Sequence, residues 1–150
     1  MATLAPRIDT IEAQVNSSGL KGSVTGSAVA AGYVGENITS SFSSTTLNST
    51  PTNQANVVLS PGVWLLFAQL WSVAANGRYM TISVSSVSNT EGTNGVNKSY
   101  GFANTGDGGG YCAVVGYVQN ISSQTTYYAV GVAGGSTTLC YGNISAVRIA

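Results

Sequence analysis

A chain of 150 residues with 7 % charged side chains, no histidine and a formal net charge of zero suits one compact domain with a short appendage. It excludes a Ser-His-Asp triad and any His metal site, and it offers no positive patch to a nucleic acid, because Arg7, Lys21, Arg78, Lys98 and Arg148 are scattered. A helical membrane span is excluded too: the longest apolar run, Val63 to Leu70, is interrupted by Gln69 and is far too short.

The first predicted element runs from Leu4 to Val15. Leu4, Ile8, Ile11 and Val15 follow a 4-3-4 spacing, the seam of a coiled coil with Leu4 and Ile11 at d and Ile8 and Val15 at a. Arg7, Asp9, Glu12 and Gln14 fall on the solvent side. A lone helix this short is marginal in water. It is therefore expected to be held by copies of itself, and isoleucine at both a and d leans toward three strands. An amphipathic helix packed on its own domain, or a tail without structure, is the plainer alternative. Pro6 is tolerable in the first turn if Thr3 caps it, and the shortness calls for more helix upstream. The expected division is a trimeric stem over 1–18, a Gly/Ser-rich linker over 19–32 and a knob over 33–150. Gly19 is placed to end the helix.

From Tyr33 onward the patterning predicts strands. Asn37 to Phe42 and Asn56 to Leu59 are short ones, and Ser60-Pro61-Gly62 is a tight turn. Val63 to Val73 is apolar on both faces and reads as a central strand covered on both sides. Ala75-Asn76-Gly77 is the strongest hairpin signal in the chain. Arg78 to Val87 alternates, with Met80, Ile82 and Val84 on one face and Tyr79, Thr81, Ser83 and Ser85 on the other. Ser88 to Asn97 is a polar loop, Tyr100 to Asn104 an edge strand, and Thr105 to Gly110 a Gly-rich loop. Tyr111 to Asn120, Thr126 to Ala133 and Leu139 to Ala150 complete the series, with an irregularity expected at Gly142. Seven to nine short antiparallel strands with polar turns predict a mainly β fold, a β-sandwich or jelly roll. Runs such as Tyr127-Tyr128-Ala129-Val130 and Val114-Val115 look two-faced, as expected if the outside of one sheet packs against a neighbouring subunit. Stem and strands together predict a homotrimer.

Cys112 and Cys140 lie in strand-like segments, either as two buried thiols or as one internal or inter-chain disulfide. Six N-x-S/T sequons, at Asn16, Asn37, Asn48, Asn97, Asn120 and Asn143, are what chance gives in so Asn-, Ser- and Thr-rich a chain. No secretory signal is read at the start, so they are expected to carry no glycan.

Two phrases carry a resemblance. Tyr33-Val34-Gly35-Glu36 precedes a polar strand, and Val57-Val58-Leu59-Ser60-Pro61-Gly62-Val63-Trp64 steps into a long inner strand. The second is similar to the L-x-x-G-x-W step of many tailed-phage fibre tips, with Val63 where an acidic residue often stands. Stem, hinge and small knob resemble the C-terminal end of the tail needle of short-tailed phages. The resemblance implies a trimeric jelly roll like that of tumour necrosis factor. It also implies a place at the virion's tail tip after assembly in the host cytoplasm. Its expected partners are other tail proteins through the upstream stem, and the host envelope.

No catalytic set, cofactor or metal is expected. Asp9, Glu12, Glu36, Glu91 and Asp107 are the only carboxylates, and Asp107 lacks companion ligands at Ca²⁺-loop spacing. Surface recognition remains. Tyr100, Phe102 and Tyr111 flank the Gly106 to Gly110 loop around Asp107 as candidate receptor contacts, with Asn89, Asn94 and Asn97 in the other long loop. The plainer reading makes these tyrosines core or interface residues. Arg78 and Arg148 either meet a small anion near the threefold axis or pair with Glu36 or Glu91. The leading expectation is the knob of a tail needle acting in attachment, penetration and genome ejection. The alternative is a fibre-tip adhesin for a host glycan or outer-membrane receptor.

Overall fold

The computed structural model describes residues 29–73, 79–93, 96–102, 111–134 and 138–150. The predicted stem, with Leu4, Ile8, Ile11 and Val15, lies outside the described residues. Among the described residues there is no helix, and the chain forms eight strands. They are β1 (Asn37–Thr45), β2 (Thr52–Leu59), β3 (Gly62–Val73), β4 (Tyr79–Ser85), β5 (Lys98–Phe102), β6 (Tyr111–Ile121), β7 (Thr125–Ala133) and β8 (Thr138–Arg148).

The strands make two four-stranded sheets, β1-β8-β3-β6 (sheet A) and β2-β7-β4-β5 (sheet B), antiparallel throughout. The sheets stack with β1 over β2, β8 near β7, β3 over β4 and β6 over β5. Eight strands in this order are a jelly roll. Period-two patterning supplies the core between the sheets. Sheet A contributes Trp64, Leu66, Ala68, Leu70, Ile144 and Ala146, and sheet B contributes Val57, Leu59, Met80, Ile82, Val84 and Ala129. The alternation predicted for β4 holds, with Met80, Ile82 and Val84 facing this core.

Three expectations differ from what is observed. The flanks of Ala75-Asn76-Gly77 do not form a hairpin: β3 pairs with β6 and β8, and β4 with β5 and β7. A turn signal reports local backbone geometry, whereas sheet membership is decided by which long partner each strand can pair with. β1 runs three residues past Phe42 through a bulge. At Gly142 the Phe42 ring lies where a side chain would project, so the expected irregularity is an aromatic filling a glycine's place.

The two-faced strands divide in a way the sequence did not reveal. On sheet B, Thr81, Ser83, Val130 and Val132 are buried although they face away from the core. Residues 86–93 fold back toward this face, where Glu91 meets Thr81. Asn89 and Asn53 exchange backbone-to-side-chain hydrogen bonds of 2.8 Å each, and Asn53 also donates to Ser88 Oγ. Asn97 donates to the Val84 carbonyl and accepts from the Thr93 N–H. Among the described residues, sheet A has no such cover. β3 is central, as expected, but its odd-numbered face is open, with Phe67 37 % and Trp71 41 % exposed.

Candidate functional site

Three places on this frame hold the residues singled out from sequence. The first is a clasp where the described chain begins. Arg148, at the end of β8, is 5 % exposed. It donates through Nε to Glu36 Oε2 (3.0 Å), through Nη1 to the Pro61 carbonyl (2.6 Å) and through Nη2 to Ser60 Oγ (2.5 Å). Its guanidinium lies 4.5 Å from the Trp64 ring centroid, and Trp64 Nε1–H donates to the Ser60 carbonyl. Gly62 (φ +149°) leaves the space that Arg148 fills; a Cβ there would collide with Nη1. The Gly32 N–H donates to the same Glu36 oxygen, and the Gly35 N–H to the Arg148 carbonyl. Of the alternatives for Arg148, the structure thus holds the ion pair with Glu36, and an anion would have to displace that carboxylate. Arg78 lies outside the described residues. Both phrases behind the phage resemblance meet here: Glu36 from one, Leu59, Gly62 and Trp64 from the other. Their work in this fold is to tie the incoming chain to the last strand.

The second place is the open face of sheet A. Register puts Val63, Leu65, Phe67, Gln69 and Trp71 of β3 between Val118 and Asn120 of β6 and Tyr141, Asn143, Ser145 and Val147 of β8. The Trp71 and Tyr141 rings contact each other at 5.1 Å between centroids. A hollow of about 480 Å³ opens beside them, lined also by Phe42, Gln69 and Asn143. An uncovered apolar stripe along a central strand is unusual on a protein that works alone.

The third place surrounds Tyr100, on the outer face of sheet B. A pocket of about 330 Å³ is lined by Tyr79, Thr81, Glu91, Lys98, Tyr100 and Val132. Thr81 and Tyr100 are cross-strand partners on β4 and β5, and Thr81 and Val132 on β4 and β7. Glu91 comes from the folded-back connection. Its Oε1 accepts from Thr81 Oγ1 (2.6 Å) and pairs with Lys98 Nζ (2.8 Å). The Lys98 ammonium also sits 5.2 Å from the Tyr100 ring centroid. Burial pulls the Lys98 pKa down, but the hydrogen bond and charge of Glu91, with Tyr100 beside them, outweigh it and hold it above the usual 10.5.

The candidate receptor contacts are therefore not one cluster. Tyr100 lines the pocket, and Phe102, two residues on, stands opposite Tyr79 in the ladder. Tyr111 belongs to the other sheet, opposite Ser72. Asp107 and Asn94 lie outside the described residues. Asn89 and Asn97 are committed to holding their own loop. Tyr79, Glu91, Lys98 and Val132 were missed; the alternation of β4 does mark Tyr79 as outward-facing, but nothing local says that Glu91 returns to it.

Cys140 is buried, and its Sγ donates to Ser72 Oγ at 3.3 Å. Cys112, on β6, and Cys140, on β8, are separated by β3, so their backbones stand about 9–10 Å apart, beyond a disulfide's reach.

No protein-family model matches the chain, and no curated protein matches it. Among solved structures it is similar to the Eiger TNF of S. frugiperda, at 12 % identity and a TM-score of 0.46, over 67 % of this chain and 69 % of that one. The jelly roll stands on the strand order alone.

Proposed function

We propose that the chain is the non-catalytic head of a phage tail needle, a homotrimer of TNF-like jelly rolls that meets the host envelope during attachment and genome ejection. The observation that carries the assembly is the open apolar face of sheet A. Sheet B covers its outer face with the chain's own loop, and sheet A leaves Leu65, Phe67, Trp71, Val118 and Val147 to be covered by something else. Two further copies of the same chain are the occupant, because the seam Leu4, Ile8, Ile11 and Val15 would bring three chains together upstream of the clasp. The phage setting rests on the sequence phrases around Glu36 and Trp64.

Among the described residues the two carboxylates, Glu36 and Glu91, are each paired with a cation, at different places on the fold. Leu65→Asp with Phe67→Asp tests the assembly. The double variant is expected to fold and to be monomeric in light scattering; an unchanged mass rejects this face as the contact.

The pocket at Tyr100 favours a second reading, a fibre-tip adhesin. A cell-binding assay with the trimer separates the two. Saturable binding lost with Tyr100→Ala supports the adhesin, and binding indifferent to it supports the needle.

A further inference from the structure

We propose that the pocket between Tyr79 and Tyr100 binds a neutral pyranose ring, one unit of a larger glycan; this rests on the adhesin reading and names its ligand. Two half-exposed aromatic rings, Tyr79 at 43 % and Tyr100 at 49 %, border the hollow. The face of a phenol ring is electronegative, so the weakly positive C–H side of a pyranose lies well against it. The Tyr79 ring lies against Gly134, where a Cβ would stand 2.6 Å from it. One side of that ring is thus propped by backbone.

The polar groups point to the same class. Glu91 and Lys98 neutralise each other at 2.8 Å, so the pocket draws neither anion nor cation by net charge. What remains is hydrogen bonding. Glu91 spends Oε1 on Thr81 and Lys98, and Oε2 has no partner among the described residues. The Glu91 carboxylate accepts a hydrogen bond from one hydroxyl while the neighbouring Lys98 ammonium donates to the next, which suits adjacent hydroxyls on one ring. Both partners are partly buried, with side-chain exposures of 11 % for Lys98 and 23 % for Glu91. The groups are also fixed beforehand. Thr81, Lys98, Tyr100 and Val132 stand on three adjacent strands, and the loop bearing Glu91 is pinned through Asn89 and Asn97. A volume of about 330 Å³ is at the small end for ligand sites and fits one ring rather than an extended chain.

The test is saturation-transfer NMR with the methyl glycosides of glucose, galactose, mannose and N-acetylglucosamine on the full chain. At least one is expected to bind saturably, with a dissociation constant on the order of millimolar. Tyr100→Phe should keep the signal, and Tyr79→Ala and Tyr100→Ala should each weaken binding about tenfold. No transfer to any of the four sugars overturns the site, as does transfer that survives Tyr79→Ala combined with Tyr100→Ala. Oligomeric mass is measured on the same samples. A trimer that binds no sugar overturns the pocket and leaves the assembly standing, and a monomer that binds sugar does the reverse.

Discussion

Arg148 shows how much one side chain can gather. Its three nitrogens bind a carboxylate, a carbonyl and a hydroxyl that come from segments far apart in sequence, Glu36 being 112 residues away. A buried ion pair is weak as net stabilisation but costly to break from one side. Glu36→Ala is therefore expected to destabilise the head by about 3–5 kcal/mol in urea unfolding, because it leaves a buried guanidinium uncompensated. Glu36→Leu with Arg148→Met should cost much less, and equal losses in the two variants would contradict the account. Two other residues set the alkaline behaviour. Lys98 titrates above its usual 10.5 for the reasons given above. Burial, and then the neighbouring Tyr117, raise the Tyr127 phenol above its usual 10. In both cases the native state keeps a proton that the unfolded chain has begun to lose. Their contribution is complete at neutral pH and is lost as pH climbs past about 10. The urea midpoint should be level from about pH 7 to 9 and fall beyond 10, and Tyr127→Phe should soften that fall.

At the scale of elements, the strands themselves were readable and their partners were not. Alternation placed β4, and an unbroken apolar run placed β3, because burial on one or two faces leaves a local trace. The Asn-Gly signal between them promised a hairpin, yet the two strands lie in different sheets. The motif around Leu59, Gly62 and Trp64 was visible as a phrase, but its reason, room for Arg148, sits at the other end of the chain. The connection between β4 and β5 was legible only as polar. Asn89 and Asn97 read as surface contacts and are instead the fastening that lays it over sheet B. Asn89→Ala removes the Oδ1 acceptor of the Asn53 N–H, while the Asn89 N–H can still donate to Asn53 Oδ1, and is expected to cost about 1 kcal/mol. Hydrogen exchange should then quicken in residues 86–93 and along β4 ahead of the rest of the head; uniform loss of protection would mean that the loop is no separate unit.

For the whole molecule, the difference between the two sheets matters most. One face is closed by the chain's own loop and carries a small pocket between Tyr79 and Tyr100. The other is an open stripe of Val, Leu, Phe and Trp on the longest strand, where a lasting contact would bury on the order of 1,200–2,000 Å² per pair of subunits. That stripe was half-legible: Val63 to Val73 reads as two-faced, but the sequence does not say which two-faced strands the chain covers by itself. If the head's faces hold the assembly, Ile8→Asn with Ile11→Asn weakens the stem and leaves the head associated. The most direct measurement is the mass in solution of the unmodified chain, by sedimentation velocity at micromolar concentration. Three chains per particle, falling to one with Leu65→Asp and Phe67→Asp, is the predicted result. A stable single chain, or a particle of two, would contradict it.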